Sequence, residues 1–301
     1  MKHAASDTRH TVLNNIGNTP LVELSHINPY KDVRIYAKLE GNNPGGSVKD
    51  RAAYYLVKGA IARGDLKPGM KLVEATSGNT GIALAMIAAL FGVEIEIVIP
   101  ENATRERVLT MQAYGAKVVL TPQAGGMEAA RDHALTQAAT GKYFILNQFD
   151  NADCPLAHYE TTGPEIWRDT QGAVTHFVSA MGTTGTIMGT SWYLKEQNPA
   201  VQVIGAQPSE GSQIPGIRRW PVEYLPKIFD AKRVDKTIDV TQQEAIAITR
   251  RLAHEEGIFC GMSSGGAVAV ALKVAAQLQG GTIVTIICDR GDRYLSSELF
   301  A

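Results

Sequence analysis

Hydrophobic positions along this chain follow two alternating patterns. Short runs rich in valine and isoleucine, such as residues 94–99 and 282–288, have the composition of buried strands. Longer segments with a helical apolar period, such as residues 51–63 and 264–278, are typical of helices. Strands that are apolar on both faces and alternate with helices indicate parallel sheets covered on both sides. We therefore predict an α/β fold with two three-layer α/β/α domains, built on mostly parallel, twisted sheets.

The same patterns give approximate bounds for each element. Strands are predicted at residues 21–22, 34–40, 71–74, 94–99, 116–121, 143–147, 175–180, 201–206 and 282–288. Helices are predicted at residues 51–63, 82–91, 104–114, 127–139, 187–197, 242–256 and 264–278. Prolines and glycines interrupt the pattern between Pro208 and Val240, which predicts a long loop that covers a site.

Three glycine-rich turns lie where predicted strands end and helices begin. They are residues 42–51, 76–81 and 182–186. In open parallel sheets, ligands bind beyond the carboxyl ends of the strands. We therefore expect all three turns to lie where a ligand binds.

The first turn carries a lysine in an unusual position. Ser47 is predicted as the N-cap and Asp50 as a first-turn anion, and both are favourable at a helix start. Lys49 has the opposite charge, and the positive end of the helix dipole disfavours its ammonium form by roughly 0.3–1 kcal/mol. A neutral amine beside exposed backbone N–H groups suits the binding of an aldehyde cofactor as a Schiff base. The alternative is an ordinary solvated lysine in a first helical turn.

The other two turns have the composition of anion sites. Gly182–Thr186 combines flexible glycines, threonine hydroxyls and a helix start, which together can bind a dianionic phosphate. It lacks the Gly-Lys-Ser/Thr ending of a nucleotide-binding P-loop, so the phosphate is expected to belong to a smaller cofactor. Thr76–Thr80 can hold a carboxylate, and the Asn79 amide can orient an aromatic hydroxyl. Both turns are also compatible with ordinary capped helix starts.

The composition narrows the class of partner and the compartment. The 301 residues contain 29 Lys and Arg against 30 Asp and Glu, so no basic field attracts nucleic acid or an anionic membrane. The polar start, Met1 to His10, is predicted to be neither a secretory signal nor a membrane anchor. Three cysteines that lie far apart argue against a disulfide framework and favour a reducing cytoplasm, and the histidines form no metal-ligand motif. A small-molecule substrate and no metal are expected.

Four motifs occur in an order that resembles one enzyme family. The segments Asn42–Arg51, Thr76–Thr80, Gly182–Thr186 and Gly261–Gly266 resemble the fold-type II pyridoxal-phosphate enzymes of the cysteine synthase family. The resemblance runs from about Ile16 to Leu295, and four motifs in register are much more specific than any single one. Residues 41–44, 216–220 and 288–294 are similar to the corresponding segments of B-type members of that family.

The resemblance implies a role for each matching position. Lys49 would bind the cofactor aldehyde and move the α-proton of the substrate. The cofactor phosphate would bind Gly182, Thr183, Thr184, Gly185 and Thr186, its ring hydroxyl Asn79, and its pyridine nitrogen Ser263. The substrate carboxylate would bind Thr76, Ser77, Asn79, Thr80 and Gln148. The sulfur nucleophile would meet Arg219, Trp220 and Cys288, although Arg219 could instead form a surface ion pair and Cys288 pack as a small core residue.

The resemblance also implies the reaction and the assembly. Pyridoxal 5'-phosphate would support a β-replacement that makes L-cysteine from O-acetyl-L-serine and sulfide through an α-aminoacrylate, and S-sulfocysteine from thiosulfate. A hydroxyl at the pyridine nitrogen leaves that nitrogen neutral, which weakens the electron sink and favours prompt loss of a β-leaving group. A cytoplasmic homodimer is expected. Residues 1–42 and 151–301 would form the larger domain, and residues 43–150 a smaller mobile domain that closes on substrate.

Three alternatives differ in product or in cofactor. Another fold-type II enzyme, such as a serine or threonine dehydratase or a synthase that uses O-phosphoserine, would share the fold and release a different product. A catalytically silent binding protein would also share the fold, but the intact Lys49 and Ser263 argue against it. A nicotinamide-dependent dehydrogenase requires a GxGxxG turn followed by an acidic residue, and this sequence lacks that pattern.

Overall fold

The computed structural model describes residues 11–76 and 78–300. Its strands are β1 Leu21–Glu23, β2 Val33–Leu39, β3 Lys71–Ala75, β4 Ile95–Pro100, β5 Lys117–Thr121, β6 Tyr143–Phe144, β7 His176–Ala180, β8 Gln202–Pro208, β9 Lys236–Val240 and β10 Gly281–Ile287. Its α-helices are α1 Lys49–Arg63, α2 Asn79–Phe91, α3 Arg105–Ala113, α4 Gly126–Ala139, α5 Asp153–Ala157, α6 Gly163–Asp169, α7 Gly185–Gln197, α8 Gln242–Glu256 and α9 Met262–Ala275. A π-helical turn, His158–Thr162, joins α5 to α6.

The strands form two sheets. The six-stranded sheet has the order β1-β2-β10-β7-β8-β9, and the four-stranded sheet has the order β5-β4-β3-β6. Every pairing among these strands is parallel except that of β1 with β2. Parallel neighbours need long crossovers, and here helices provide them. The predicted α/β fold with mostly parallel sheets is confirmed.

Both faces of each sheet are buried, which explains the unbroken apolar runs in the sequence. On β10, Ile283 belongs to the core beneath α8 and α9, whereas its neighbour Val284 belongs to the core beneath α6 and α7. On β4, Ile97 packs with α1 and α2, and Val98 packs with α4. Successive side chains of a strand point to opposite faces, so a strand covered on both sides has no polar face.

Two stretches of regular structure were not predicted from the sequence. Residues 236–240, predicted as part of a long loop, form β9, an edge strand whose mostly exposed side chains give it no apolar run. Residues 153–169, for which no element was predicted, are helical. Pro155 and Pro164 interrupt the apolar period there, and short helices around a π-helical turn do not produce a regular pattern.

Two local predictions were wrong in detail. The strand predicted at residues 143–147 ends at Phe144, and Asn147 has a φ of 52°, which a strand cannot accommodate. Ser47 is not the N-cap of α1, because Val48 occupies that position. The Ser47 hydroxyl nevertheless accepts the backbone N–H of Lys49 at 3.2 Å, so it still satisfies one of the free donors at the helix start.

Two parts of the sequence-based prediction concern residues outside the described ranges. They are the polar arm Met1–His10 and the substrate-loop residue Ser77. In the described ranges, the longest and most apolar helices still fall short of what a bilayer crossing requires. The three cysteines, Cys154, Cys260 and Cys288, are all free thiols.

Candidate active site

Turns from the two sheets meet beyond the carboxyl end of β10. Val48, which precedes α1, donates its backbone N–H to the carbonyl of Cys288, the first residue past β10, at 2.8 Å. Asn79, the first residue of α2, donates its side-chain amide to Asp289 Oδ2 at 2.6 Å. The turn that carries Lys49 and the turn of residues 76–81 therefore converge where ligands bind in parallel α/β sheets.

The loop around Gly216 connects Ser263 with the turn of residues 182–186. Trp220 Nε1 donates to the Gly182 carbonyl oxygen at 2.7 Å. A side chain on Gly182 could not fit, because its Cβ would lie 2.5 Å from the Gly216 carbonyl oxygen. Gly216 in turn lies against Ser263, since a Cβ at residue 216 would be 3.2 Å from the Ser263 Cβ. Glycine at these two positions allows the three segments to approach closely.

Lys49 lies at the centre of this region as the first residue of α1 and is half-buried. Burial raises the pKa of the Cys154 and Cys288 thiols to about 11, and the nearby positive charge of Lys49 partly opposes both shifts. The Lys49 amine therefore lies close to both thiols. Among the residues that the structure describes, none forms a hydrogen bond or ion pair with this amine. A half-buried amine without a protein partner is available to a ligand.

The Gly182–Thr186 turn has an unused hydroxyl and a helix start. Thr184 has a φ of 70° and is buried, and its Oγ1 has no hydrogen-bond partner among the described residues. Leaving a buried hydroxyl unpaired costs about 1–3 kcal/mol, so a ligand that accepts this hydrogen bond is favoured. The first N–H groups of α7, which begins at Gly185, have no intrahelical acceptor and attract an anion.

These residues fit pyridoxal phosphate, the cofactor that the resemblance implies. An aldehyde requires an amine, and that of Lys49 has no competing partner within residues 11–76 and 78–300. A phosphate requires hydrogen-bond donors, which the Thr184 hydroxyl and the start of α7 provide. A pyridine nitrogen requires one polar partner, and Ser263 is a buried hydroxyl at the start of α9. All three groups lie around the carboxyl ends of β7 and β10.

Replacing Gly185 with alanine is expected to weaken cofactor binding about tenfold or more. The added Cβ would lie 2.4 Å from Cys154 Sγ, so the phosphate turn must shift, and such overpacking costs about 1–3 kcal/mol. Equilibrium dialysis of the full-length protein against pyridoxal phosphate measures the affinity. The Cys154 Cβ is 3.6 Å away, an ordinary contact, so adding Cys154→Ala to Gly185→Ala should recover most of the affinity. An equally weak double variant would contradict this steric explanation.

The predicted carboxylate-binding residues Thr76, Thr80 and Gln148 lie together and are buried. Thr80 Oγ1 donates to Gln148 Oε1 at 2.9 Å. Thr76 packs beside Gly81, the neighbour of Thr80, because a Cβ on Gly81 would lie 3.2 Å from Thr76 Cγ2. The structure thus joins three of the five predicted residues, and the Thr76 hydroxyl and the Gln148 amide N–H groups can donate to a carboxylate.

Glu74, two residues before Thr76, supports this group, and the sequence analysis did not assign it a role. Its carboxylate accepts the backbone N–H groups of Leu146 and Asn147 at 3.2 and 3.3 Å, directly before Gln148. Burial raises the pKa of Glu74 to about 7, while these two hydrogen bonds oppose the shift. An acidic residue directly after the apolar pair Leu72-Val73, at the end of the predicted strand, was the signal that could have identified it.

Replacing Glu74 with glutamine is expected to flatten the pH dependence of stability. The pKa of Glu74 is about 7 in the folded protein and 4.5 when unperturbed, so the folded state binds this proton more tightly. This contribution to the free energy of unfolding is fully present below pH 4.5 and is lost as the pH rises through 7. At ~1.4 kcal/mol per pKa unit, the loss is about 3 kcal/mol. Urea unfolding at pH 5 and pH 8 measures it. Glu94→Gln removes an exposed carboxylate and should leave the slope unchanged; an equal slope for Glu74→Gln would contradict the assignment.

Two charged residues that the sequence analysis did not assign hold Asn79. Its Nδ2 donates to Asp289 Oδ2 at 2.6 Å, and its Oδ1 accepts from Arg293 Nη1 at 2.5 Å. The Tyr294 hydroxyl also donates to Asp289 Oδ2 at 2.5 Å. Asp289 and Arg293 follow β10, an inner strand of the larger sheet, and this position was the signal that could have assigned them to the site. Both ends of the Asn79 amide are engaged by protein, and its predicted contact with cofactor or substrate stays a prediction.

The three residues predicted to meet the sulfur nucleophile occupy different places. Trp220 lies against the phosphate turn, and its ring centroid is 5.7 Å from that of Phe149, the neighbour of Gln148. Cys288 is half-buried immediately past β10, so it lies at the edge of the site and not within the strand. Arg219 forms an exposed ion pair with Asp239, which is the surface alternative considered for it. Trp220 and Cys288 thus border the site, whereas the Arg219 side chain is held by Asp239.

Comparison with known proteins agrees with this geometry. The family model described as pyridoxal-phosphate dependent enzyme matches residues 12–289. Cysteine synthase B of Pseudomonas aeruginosa is 58% identical over 290 residues, which cover 96% of this chain and 97% of that protein. Cysteine synthase B of Escherichia coli is 57% identical, with 96% of each chain covered. A crystal structure of cysteine synthase from Entamoeba histolytica superposes with a TM-score of 0.92 at 40% identity, covering 100% of this chain and 94% of that chain. The resemblance to B-type cysteine synthases is confirmed.

Proposed function

Because this chain belongs to the family of pyridoxal-phosphate dependent enzymes, we propose that it makes L-cysteine and acetate from O-acetyl-L-serine and sulfide. The similarity to cysteine synthase B over 96% of the chain supports this reaction, which is that of O-acetylserine sulfhydrylase B. The observation that carries the proposal is that the Lys49 amine and the Thr184 hydroxyl both lack a hydrogen-bond partner among the described residues. Both lie near Cys154, which is close to Lys49 and packs against Gly185, the neighbour of Thr184. This region thus has an amine for the cofactor aldehyde and a donor for its phosphate.

The predicted site residues divide into two groups with different tasks. Lys49, Asn79, Ser263 and the turn of residues 182–186 would hold the cofactor. Thr76, Ser77, Asn79, Thr80 and Gln148 would bind the carboxylate of O-acetyl-L-serine. The hydrogen bond between Thr80 and Gln148 supports this grouping, because it fixes the two side chains relative to each other.

Lys49 would act on the substrate as a general base. When bound, pyridoxal phosphate supplies an electron sink that acidifies the α-proton of an amino acid. The Lys49 amine, half-buried and without a hydrogen-bond partner among the described residues, would take that proton from Cα. Ser263 would leave the pyridine nitrogen neutral, which favours loss of the β-acetate over racemisation or transamination. Closure of residues 43–150 would exclude water from the site during the exchange of acetate for sulfur.

Thiosulfate is proposed as a second sulfur donor, with S-sulfocysteine as the product. Trp220 and Cys288 would border the space for this larger nucleophile. Arg219 would bind its negative charge after exchanging the carboxylate of Asp239 for the ligand, which is feasible for an exposed ion pair. A cytoplasmic homodimer, with residues 1–42 and 151–301 as its larger domain, completes the proposal.

The absorption spectrum of the purified holoenzyme tests the proposed function. We expect a visible cofactor band that changes when O-acetyl-L-serine is added and returns when sulfide or thiosulfate follows. The relative rates of return give the preferred donor, and chromatography identifies cysteine or S-sulfocysteine. A colourless protein that takes up no pyridoxal phosphate would rule out the cofactor assignment and favour a silent binding protein.

The same experiment separates the nearest alternative substrates. A coloured protein whose spectrum ignores O-acetyl-L-serine but responds to O-phosphoserine would instead be a synthase that uses O-phosphoserine. A response to serine or threonine with release of a keto acid would indicate a dehydratase. Each of these outcomes keeps the cofactor and changes the substrate.

A further inference from the structure

A widened helical turn packs against the phosphate turn. Between α5 and α6, residues His158–Thr162 form a single π-helical turn. Such turns are rare and occur frequently at functional sites, because the extra residue moves side chains out of their regular positions. Here His158 and Thr162 are both buried, with His158 only 2% exposed.

Each ring nitrogen of His158 faces a threonine hydroxyl. Nδ1 lies 2.9 Å from Thr162 Oγ1, and Nε2 lies 3.3 Å from Thr186 Oγ1. Burial, followed by the nearby positive charge of Arg51, lowers the pKa of His158 to about 3. The ring is therefore neutral under physiological conditions, and it offers one donor and one acceptor.

A glycine in α7 makes this approach possible. A Cβ on Gly189 would lie 1.9 Å from the Pro155 carbonyl oxygen and 2.8 Å from the His158 Cβ. The helix α7 therefore meets the π-helical turn backbone to backbone. Thr186 is three residues before Gly189 and shares its face of the helix, which brings the Thr186 hydroxyl to the imidazole.

The position of the single imidazole proton decides what Thr186 can do. If Nε2 were an acceptor, the Thr186 hydroxyl would donate its only proton to His158 and would face a phosphate with lone pairs alone. If Nε2 carries the proton, it donates to Thr186 Oγ1, and the hydroxyl proton is free for the phosphate. Nδ1 then accepts from the Thr162 hydroxyl.

We propose that His158 is a positioning residue that, as the Nε2–H tautomer, directs the Thr186 hydroxyl proton toward the phosphate. The proposal rests on the proposed function, because it takes Gly182–Thr186 as the phosphate site. The relay runs from Thr162 through the neutral ring to Thr186 and ends at a phosphate oxygen. It supplies an oriented donor without adding a positive charge, and hydrogen bonds from neutral donors to an anion are among the stronger ones.

The tautomer can be measured directly. Holoenzyme labelled with ¹⁵N in its histidines should show, for His158, a protonated Nε2 and an unprotonated Nδ1 in long-range ¹H–¹⁵N spectra. The His158→Gln variant assigns the signal by its disappearance. An Nδ1–H tautomer or a doubly protonated ring would overturn the proposal.

A double-mutant cycle tests whether His158 acts through Thr186. His158→Leu removes the donor, and we expect about a tenfold to hundredfold loss of pyridoxal-phosphate affinity together with a changed ³¹P shift of the bound cofactor. His158→Gln keeps an N–H group and should recover most of the affinity. In the Thr186→Val background, His158→Leu should change the affinity less than about threefold. An equal loss in both backgrounds would overturn the positioning role.

The outcome also distinguishes this inference from the proposed function. If Thr186→Val leaves the cofactor affinity unchanged, the Thr186 hydroxyl does not bind the phosphate and this inference fails, whereas the proposed function is tested separately by the cofactor spectrum. If Thr186→Val weakens binding while the two substitutions act independently, only the role of His158 fails. Should His158→Leu not fold, the tautomer measurement and the His158→Gln variant still decide the question.

Discussion

Alanine in place of Lys49 is expected to reduce the rate of cysteine formation at least about 10³-fold. A positioned side chain that transfers a proton typically contributes 10²–10⁴-fold, and Lys49 would also hold the cofactor aldehyde. Among the described residues this amine has no hydrogen-bond or ion-pair partner, so in the absence of ligand it is available for both tasks. Arginine at the same position keeps the positive charge but cannot form the Schiff base or accept a proton at neutral pH, and it should be similarly inactive.

The rate of cysteine production from O-acetyl-L-serine and sulfide measures this effect. Lys58→Ala is the matched control, because Lys58 lies on the same helix and is exposed. Its amine lies over the rings of Tyr54 and Tyr55. This variant should retain activity within about twofold, as expected of a surface change. A Lys49→Ala enzyme with more than a tenth of the normal rate would show that another group moves the proton.

Methionine in place of Arg51 is expected to lower the free energy of unfolding by about 3–5 kcal/mol, the usual cost of breaking a buried ion pair on one side. Arg51 is 0% exposed. Its guanidinium donates to Glu40 at 2.7 and 2.8 Å and to Glu165 at 2.6 and 2.8 Å. Burial alone would raise the pKa of Glu165, but Arg51 and then Lys38 lower it to about 2. Removing Arg51 leaves the buried Glu40 carboxylate without its cation, while Glu165 keeps its ion pair with Lys38 at 2.8 Å.

Urea unfolding at pH 7 tests this prediction. Arg251→Ala breaks an exposed ion pair with Glu255 and should cost less than about 1 kcal/mol. Adding Glu40→Gln to Arg51→Met should recover part of the loss, because it removes the buried charge that Arg51→Met leaves without a cation. If Arg51→Met costs no more than Arg251→Ala, the buried network does not hold the start of α1 in place. Since Arg51 is two residues after Lys49, such a result would also leave the position of Lys49 unexplained.

The pH dependence of this network has a defined sign. The pKa of Glu165 is lowered from 4.5 to about 2, so its ion pair stabilises the folded state fully above pH 4.5 and is lost as the pH falls through 2. Glu74 has the opposite effect on stability, because its contribution is lost as the pH rises from 4.5 through 7. Asp50, whose pKa is raised to about 7, and His158, whose pKa is lowered to about 3, titrate over overlapping pH ranges. The contribution of Glu165 or of Glu74 is therefore measured as the difference between its variant and the unsubstituted protein at each pH.

Local pattern determined the elements whose burial is uniform. The helix α8 was predicted with its observed bounds, Gln242–Glu256, because it has an amphipathic period, a Thr241 capping box and a Gly257 C-cap. The β10 strand was predicted within one residue at each end, because both of its faces are apolar. Where burial alternates or breaks, as in the edge strand β9 and the π-helical turn, the pattern was not sufficient.

The sequence by itself determined the α/β class, the glycine-rich turns at strand ends and the lysine that those turns surround. These features depend on residue type and on spacing along a few neighbouring positions. Only the tertiary structure decided that Asn79 is held by Asp289 and Arg293, more than 200 residues away, and that His158 faces Thr186. A hydrogen bond between distant residues depends on where two backbones pack and on how two side chains turn. The periodicity of the sequence does not determine the distance between two such side chains, so the partners of the site residues could be identified only from the folded structure.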